Sequence, residues 1–131
     1  MPTRVVVLDD DQEFRAFLCA IFVDAGYEAH GSTAGIGVHE VVRDLAPVAV
    51  ILDVPADPSA STLHWPALAV LAHDAATRRI PLLACVPDDD EDAARQVAAL
   101  GLPSSVVLCK PLALDDLLAR LRRLAGTSLA S

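Results

Sequence analysis

The hydrophobic positions of this chain change period again and again, and that rhythm predicts its elements. Arg4-Val-Val-Val-Leu-Asp9 is a β-branched run without alternation, the pattern of a strand buried on both faces of a parallel sheet. From Asp11 the apolar residues Phe14, Phe17, Leu18, Ile21, Phe22 and Ala25 follow helical spacing, and Gly26 ends that segment. Tyr27 to His30 is a short second strand. Ser32 or Thr33 is the expected cap of a helix running to about Ala46, with Val38, Val41, Val42 and Leu45 inward and its first turns weakened by Gly35 and Gly37.

Val48 to Asp53 is a third, apolar strand, followed by a Pro-, Ser- and Ala-rich loop. Trp65 to about Ala76 is helical, with Pro66 tolerable in the first turn. Leu82 to Val86 is a fourth strand, and Asp88 to Leu100 an acidic-started helix closed by Gly101. Val106 to Cys109 is a fifth strand. Leu112 to Ala125 is the last helix, with Leu114, Leu117, Leu118, Leu121 and Leu124 on one face and Arg120, Arg122 and Arg123 near its C-terminal end, where they complement the helix dipole. Five strand–helix units in alternation predict an α/β fold, a parallel sheet covered by helices on both faces. The expected division is one domain over 1–125 and a loose tail over 126–131.

Composition narrows the function. The chain has 131 residues, 53 % of them hydrophobic and 21 % charged, enough apolar matter for one domain with a real core. Its formal net charge of −8 argues against nucleic acid or an anionic membrane as the partner. Acidic residues fill the place where a signal peptide needs its apolar stretch. The longest uncharged run, Pro58 to His73, is broken by polar residues and proline, so no membrane span is expected. Cys19, Cys85 and Cys109 show no metal-ligand spacing and read as small buried hydrophobes; a reduced, cytoplasmic setting is expected. His30, His39, His64 and His73 form no ligand or base–nucleophile pattern.

In an open parallel sheet the ligand site lies beyond the carboxyl ends of the strands. There the first strand ends in Asp9-Asp10-Asp11, the third in Asp53 and the fifth in Cys109-Lys110-Pro111, and Lys110 is the only lysine in the chain. Carboxylates crowded together favour a hard divalent cation between them, most simply Mg²⁺. A lysine facing that cation suits a phosphate oxygen, and an aspartate is an available nucleophile. The edge therefore reads as an Mg²⁺-dependent phosphoryl site.

Asp9-Asp10 after Val-Val-Val-Leu, Asp53 ending Val50-Ile-Leu-Asp, and Lys110-Pro111 after Val106-Val-Leu-Cys resemble the receiver domain of two-component response regulators, from Arg4 to about Leu124. The resemblance implies the flavodoxin-like (βα)₅ fold with strand order 2-1-3-4-5. It implies Mg²⁺ held by Asp9, Asp10, Asp53 and the backbone carbonyl of Pro55. It implies phosphoryl transfer to Asp53 from a histidine kinase or phosphotransfer protein, contact of Lys110 with that group, and a downstream protein partner. Some members of the family pair through the last helix and strand, so a homodimer is possible. An enzyme is not expected.

The sequence also departs from the family's pattern. Val86 stands where a Thr or Ser hydroxyl is usual, and Val107 where a switch aromatic is usual. Pro55 and Pro87 remove backbone N–H donors from the places that cradle the phosphoryl oxygens, and one such donor is worth roughly 10²–10³ in rate. Asp57 adds a carboxylate near the site. These departures suggest an atypical receiver, and the alternative is a pseudo-receiver that acts by protein contact with little or no phosphorylation. A phosphatase resembling the haloacid dehalogenase family is the third reading. Gln12 and Glu13 stand where its motif needs Thr or Val, and no acidic pair follows Lys110 at a strand end. A nucleotide loop at Gly35-Ile-Gly37 fails because the rest of the glycine pattern is missing.

Overall fold

The computed structural model describes residues 3–33, 37–53, 64–86, 91–101, 107–109 and 113–130. Among the described residues, five strands, β1 (Arg4–Leu8), β2 (Glu28–Ser32), β3 (Ala49–Asp53), β4 (Leu82–Val86) and β5 (Val107–Cys109), alternate with five helices. The helices are α1 (Gln12–Asp24), α2 (Val38–Leu45), α3 (His64–His73), α4 (Glu91–Ala99) and α5 (Leu114–Ala130). The strands pair in parallel in the order β2-β1-β3-β4-β5, as the resemblance implies.

The apolar runs form the inner strands because both faces of each are covered. Along them, alternate side chains part into two cores. Val6, Leu8, Val50, Leu52, Leu82, Ala84 and Val86 pack with Val38 and Val42 of α2 and Leu68 and Leu71 of α3. Val5, Val7, Ala49, Ile51, Leu83 and Cys85 pack with Leu18 and Phe22 of α1 and Leu117 and Leu121 of α5. The result is three layers, helix, sheet, helix. Edge strand β2 is only partly covered along most of its length.

Several local expectations are corrected. β2 runs on through Ser32, whose hydroxyl meets the Thr33 carbonyl at 3.5 Å, so neither residue caps α2. That helix starts only after Gly37, which sits at φ 87°, a conformation glycine takes without a Cβ clash. It ends at Ala46, where φ is 46° and the following Pro47 disfavours a further helical residue. Val41 is 38 % exposed and Phe17 52 % exposed, so both leave the faces assigned to them. Phe17 lies instead beside Phe14 on the surface of α1, with ring centroids 6.2 Å apart. α3 stops at His73 because Asp74 starts a turn, its Oδ1 accepting the Ala76 N–H at 2.8 Å. The buried Thr77 hydroxyl then donates to the Leu71 carbonyl at 2.9 Å. α5 continues through Gly126 to Ala130, past the end expected at Ala125. Arg120, Arg122 and Arg123 therefore lie within the helix and not in its last turn.

Candidate functional site at the carboxyl edge of the sheet

The site begins with two neighbouring strands. Leu8 of β1 pairs with Leu52 of β3, so Asp9 and Asp53 are the next residues along each strand. Neighbouring strands run about 4.8 Å apart, which brings both carboxylates to one edge. Alternation places them on the α1/α5 side, in line with Val7 and Ile51. Asp9 is 2 % exposed, and its Oδ2 is shut off from solvent, as is Oδ1 of Asp53.

Asp9 is held from three directions. Its N–H donates to the Ser32 carbonyl at 3.0 Å, one residue beyond the β1–β2 ladder. Its Oδ1 accepts the Asp11 N–H at 2.9 Å. Its own carbonyl accepts Nη1 of Arg15 at 2.9 Å. Asp11 in turn caps α1, its carboxylate accepting the N–H groups of Glu13 and Phe14 at 3.1 and 3.2 Å. The acidic triplet thus divides its work: Asp9 points into the site edge, and Asp11 starts the helix.

Asp10 is exposed, Asp9 is buried, and Asp53 is half-buried with its Oδ1 shielded. Among the described residues, no three His, Cys, Asp or Glu side chains are grouped as a metal cage. The donor set nevertheless fits Mg²⁺. That ion keeps several waters and needs only one or two carboxylates, and shielded anionic oxygens on adjacent strands are what such an ion offsets.

The β3–β4 register sets the remaining neighbours. Asp53 pairs with Cys85, and Val86, 2 % exposed, stands one residue farther along, packed toward α2 and α3. Val86 pairs with Cys109, and Val107 pairs with Ala84 two residues back from that edge. Lys110, Pro55, Asp57 and Pro87 lie outside the described residues.

Cys85 is buried and not in a disulfide, and its ladder partner is Leu108, not Cys109. Burial pushes the Cys19 thiol up, against a smaller downward pull from Arg15. His30 approaches Glu28 and His39 approaches Asp74, each at 3.5 Å.

Sequence reasoning missed Arg15 and Gly31. Arg15 reads as an ordinary helix-surface base, yet it reaches back to the Asp9 carbonyl. The available signal is the glycine itself, since a lone Gly inside a strand often marks a close approach.

Among the described residues, no helix is long and apolar enough to cross a membrane. No protein-family model matches the chain. Response regulator MprA of Mycobacterium sp. (strain KMS) is 30 % identical over 124 residues, covering 95 % of this chain and 51 % of that protein. The chain spans about half the length of the curated relatives that it matches end to end. A putative response regulator from Chloroflexus aurantiacus superposes with a TM-score of 0.79 at 21 % identity, covering 96 % of this chain and 99 % of that one. Chemotaxis response regulator CheY4 of Vibrio cholerae does so with a TM-score of 0.75 at 20 % identity, over 95 % and 99 %. The sequence relationship to MprA, the sheet order and the acidic edge agree, and this chain belongs to the receiver domains of two-component response regulators.

Proposed function

We propose that this chain is a phosphoacceptor module. Asp53 would take the phosphoryl group from a phosphohistidine of a histidine kinase or phosphotransfer protein. The P–N bond breaks, a P–O bond to the carboxylate forms, and the imidazole nitrogen leaves with the electron pair. The observation that carries this reading is the shielded pair of carboxylates, Asp9 and Asp53, at the ends of adjacent inner strands. Asp9, Asp10, Asp53 and the Pro55 carbonyl are the proposed holders of Mg²⁺. The ion, when bound, would neutralise charge on the transferring group. Lys110 is the proposed contact for a phosphoryl oxygen, as a point charge. The phosphorylated domain would then signal to a partner protein in the cytoplasm rather than turn over a substrate. Its acidic balance favours neither nucleic acid nor a membrane. Pairing of two copies through α5 and β5 belongs to the same proposal.

A second reading has its own observation. Val86 is buried at the edge and offers no hydroxyl. With Val107 lacking a switch aromatic and Pro55 and Pro87 lacking N–H donors, a pseudo-receiver working by contact is the alternative.

One experiment separates them. The protein is incubated with Mg²⁺ and acetyl phosphate or phosphoramidate, and its intact mass is measured beside Asp53→Asn. A phosphoryl-sized gain in the unaltered chain, absent in Asp53→Asn, is the expected result. No gain in either, with the fold intact, would leave the contact reading. Steady hydrolysis of a generic phosphate ester would point to the phosphatase instead.

A further inference from the structure

Arg15 leaves α1, crosses edge strand β2 at Gly31 and donates Nη1 to the Asp9 carbonyl at 2.9 Å. The crossing is close. A Cβ built on Gly31 would stand 2.9 Å from Arg15 Cγ, 3.0 Å from Cδ and 3.3 Å from Nε. Gly31 has no positive φ, so its backbone does not itself require glycine. What the missing side chain leaves open is the path of the Arg15 stem.

The acceptor matters as much as the donor. The Asp9 carbonyl belongs to the planar peptide that joins Asp9 to Asp10. With the Asp9 N–H tied to Ser32 and Oδ1 tied to Asp11, the Arg15 bond is the third anchor of this turn. Fixing that peptide plane fixes the Asp10 N–Cα bond and leaves φ as the one backbone rotation that turns the Asp10 side chain toward or away from Asp9. Asp10 is exposed here, so its approach to a cation beside Asp9 depends on that plane.

We propose that Arg15 is a positioning residue for the Asp9–Asp10 cation site, and that Gly31 is the slot that admits it. The inference rests on the reading of Asp9 and Asp10 as Mg²⁺ ligands. Its sign distinguishes it from simple electrostatics. Removing a positive charge near two carboxylates should by itself tighten cation binding. Removing a support that orients ligands should weaken it, on the order of tenfold or more.

The test is a calorimetric Mg²⁺ titration of the full chain, with Arg15→Ala, Gly31→Ala and the double variant, beside thermal unfolding without metal. Arg15→Ala is expected to weaken Mg²⁺ binding by about tenfold. Gly31→Ala keeps every charge and is expected to weaken binding in the same direction, with a small loss of metal-free stability as the Arg15 stem is displaced. In the double variant the Gly31→Ala effect should vanish, because the side chain it displaces is gone. Unchanged or tighter binding in Arg15→Ala would overturn the inference and leave the metal reading intact. Should Arg15→Ala fail to fold, Gly31→Ala decides alone: weaker binding supports the slot and unchanged binding overturns it. No Mg²⁺ binding by the unaltered chain, or binding that Asp9→Asn and Asp10→Asn leave intact, would overturn the metal reading and this inference with it.

Discussion

Asp53 on β3 stands directly opposite Cys85 on β4, and Val86 lies one residue beyond that pair. The carboxylate and the thiol share the α1/α5 side of the sheet, while Val86 packs into the opposite core. Val86, the residue beyond the pair, is thus a buried apolar one held by the core that α2 and α3 complete.

That placement predicts the outcome of Val86→Thr. The two side chains have nearly one shape, but the hydroxyl enters a position only 2 % exposed. A buried hydroxyl left unsatisfied costs about 1–3 kcal/mol. Thermal unfolding should show that loss in the protein alone and a smaller loss with Mg²⁺ and beryllofluoride, where a ligand oxygen or fluorine accepts the new bond. An equal loss under both conditions would mean that position 86 does not reach a group on Asp53.

Phe22 and Phe17, five residues apart on α1, should respond in opposite ways to truncation. Phe22 is fully buried and meets Tyr27 edge to face, with centroids 6.5 Å apart. Phe22→Ala is expected to cost about 3–5 kcal/mol in urea unfolding. Phe17→Ala, at a half-exposed position, should stay within about 0.5–1 kcal/mol.

The first helix depends on its cap. Asp11→Ala removes the acceptor for the N–H groups of Glu13 and Phe14 and should cost about 1 kcal/mol. Asp11→Asn keeps an acceptor oxygen and should recover most of that loss. The comparison is made by urea unfolding at one pH.

Acid should loosen the β1–β2 edge. The Arg4 guanidinium, 2.8 Å from Glu28, holds that carboxyl below its ordinary value of 4.5, chiefly through the hydrogen bond. A depressed carboxyl contributes stability above its unfolded value, and the contribution is lost as pH falls through the lower folded value. Urea midpoints followed downward from neutral pH should therefore fall less steeply below 4.5 in Glu28→Gln than in the unaltered chain. Parallel acid limbs would show that the pair carries no linkage.

The inner strands were legible because a strand buried on both faces needs apolar residues at successive positions, and Val5 to Leu8, Val50 to Leu52 and Leu82 to Val86 supply them. α1 was legible for the same kind of reason, through the buried Leu18 and Phe22. The start of α2 was not, because a strand continuing through Ser32 and a left-handed Gly37 depend on how β2 pairs with β1. Val41 and Phe17 fit a helical period but sit at the margin of their faces, where packing rather than spacing decides burial.

At the edge of the sheet the division is sharper. The order of elements, and the arrival of Asp9 and Asp53 at the carboxyl ends of strands, follow from local pattern alone, since each strand carries its own terminal residue with it. That Asp9 is buried while Asp10 faces outward was decided by long-range contacts. So were the pairing of Asp53 with Cys85 and the passage of Arg15 over Gly31 to the Asp9 carbonyl. Such contacts join residues far apart in the chain, and their geometry exists only once strands and helices have packed.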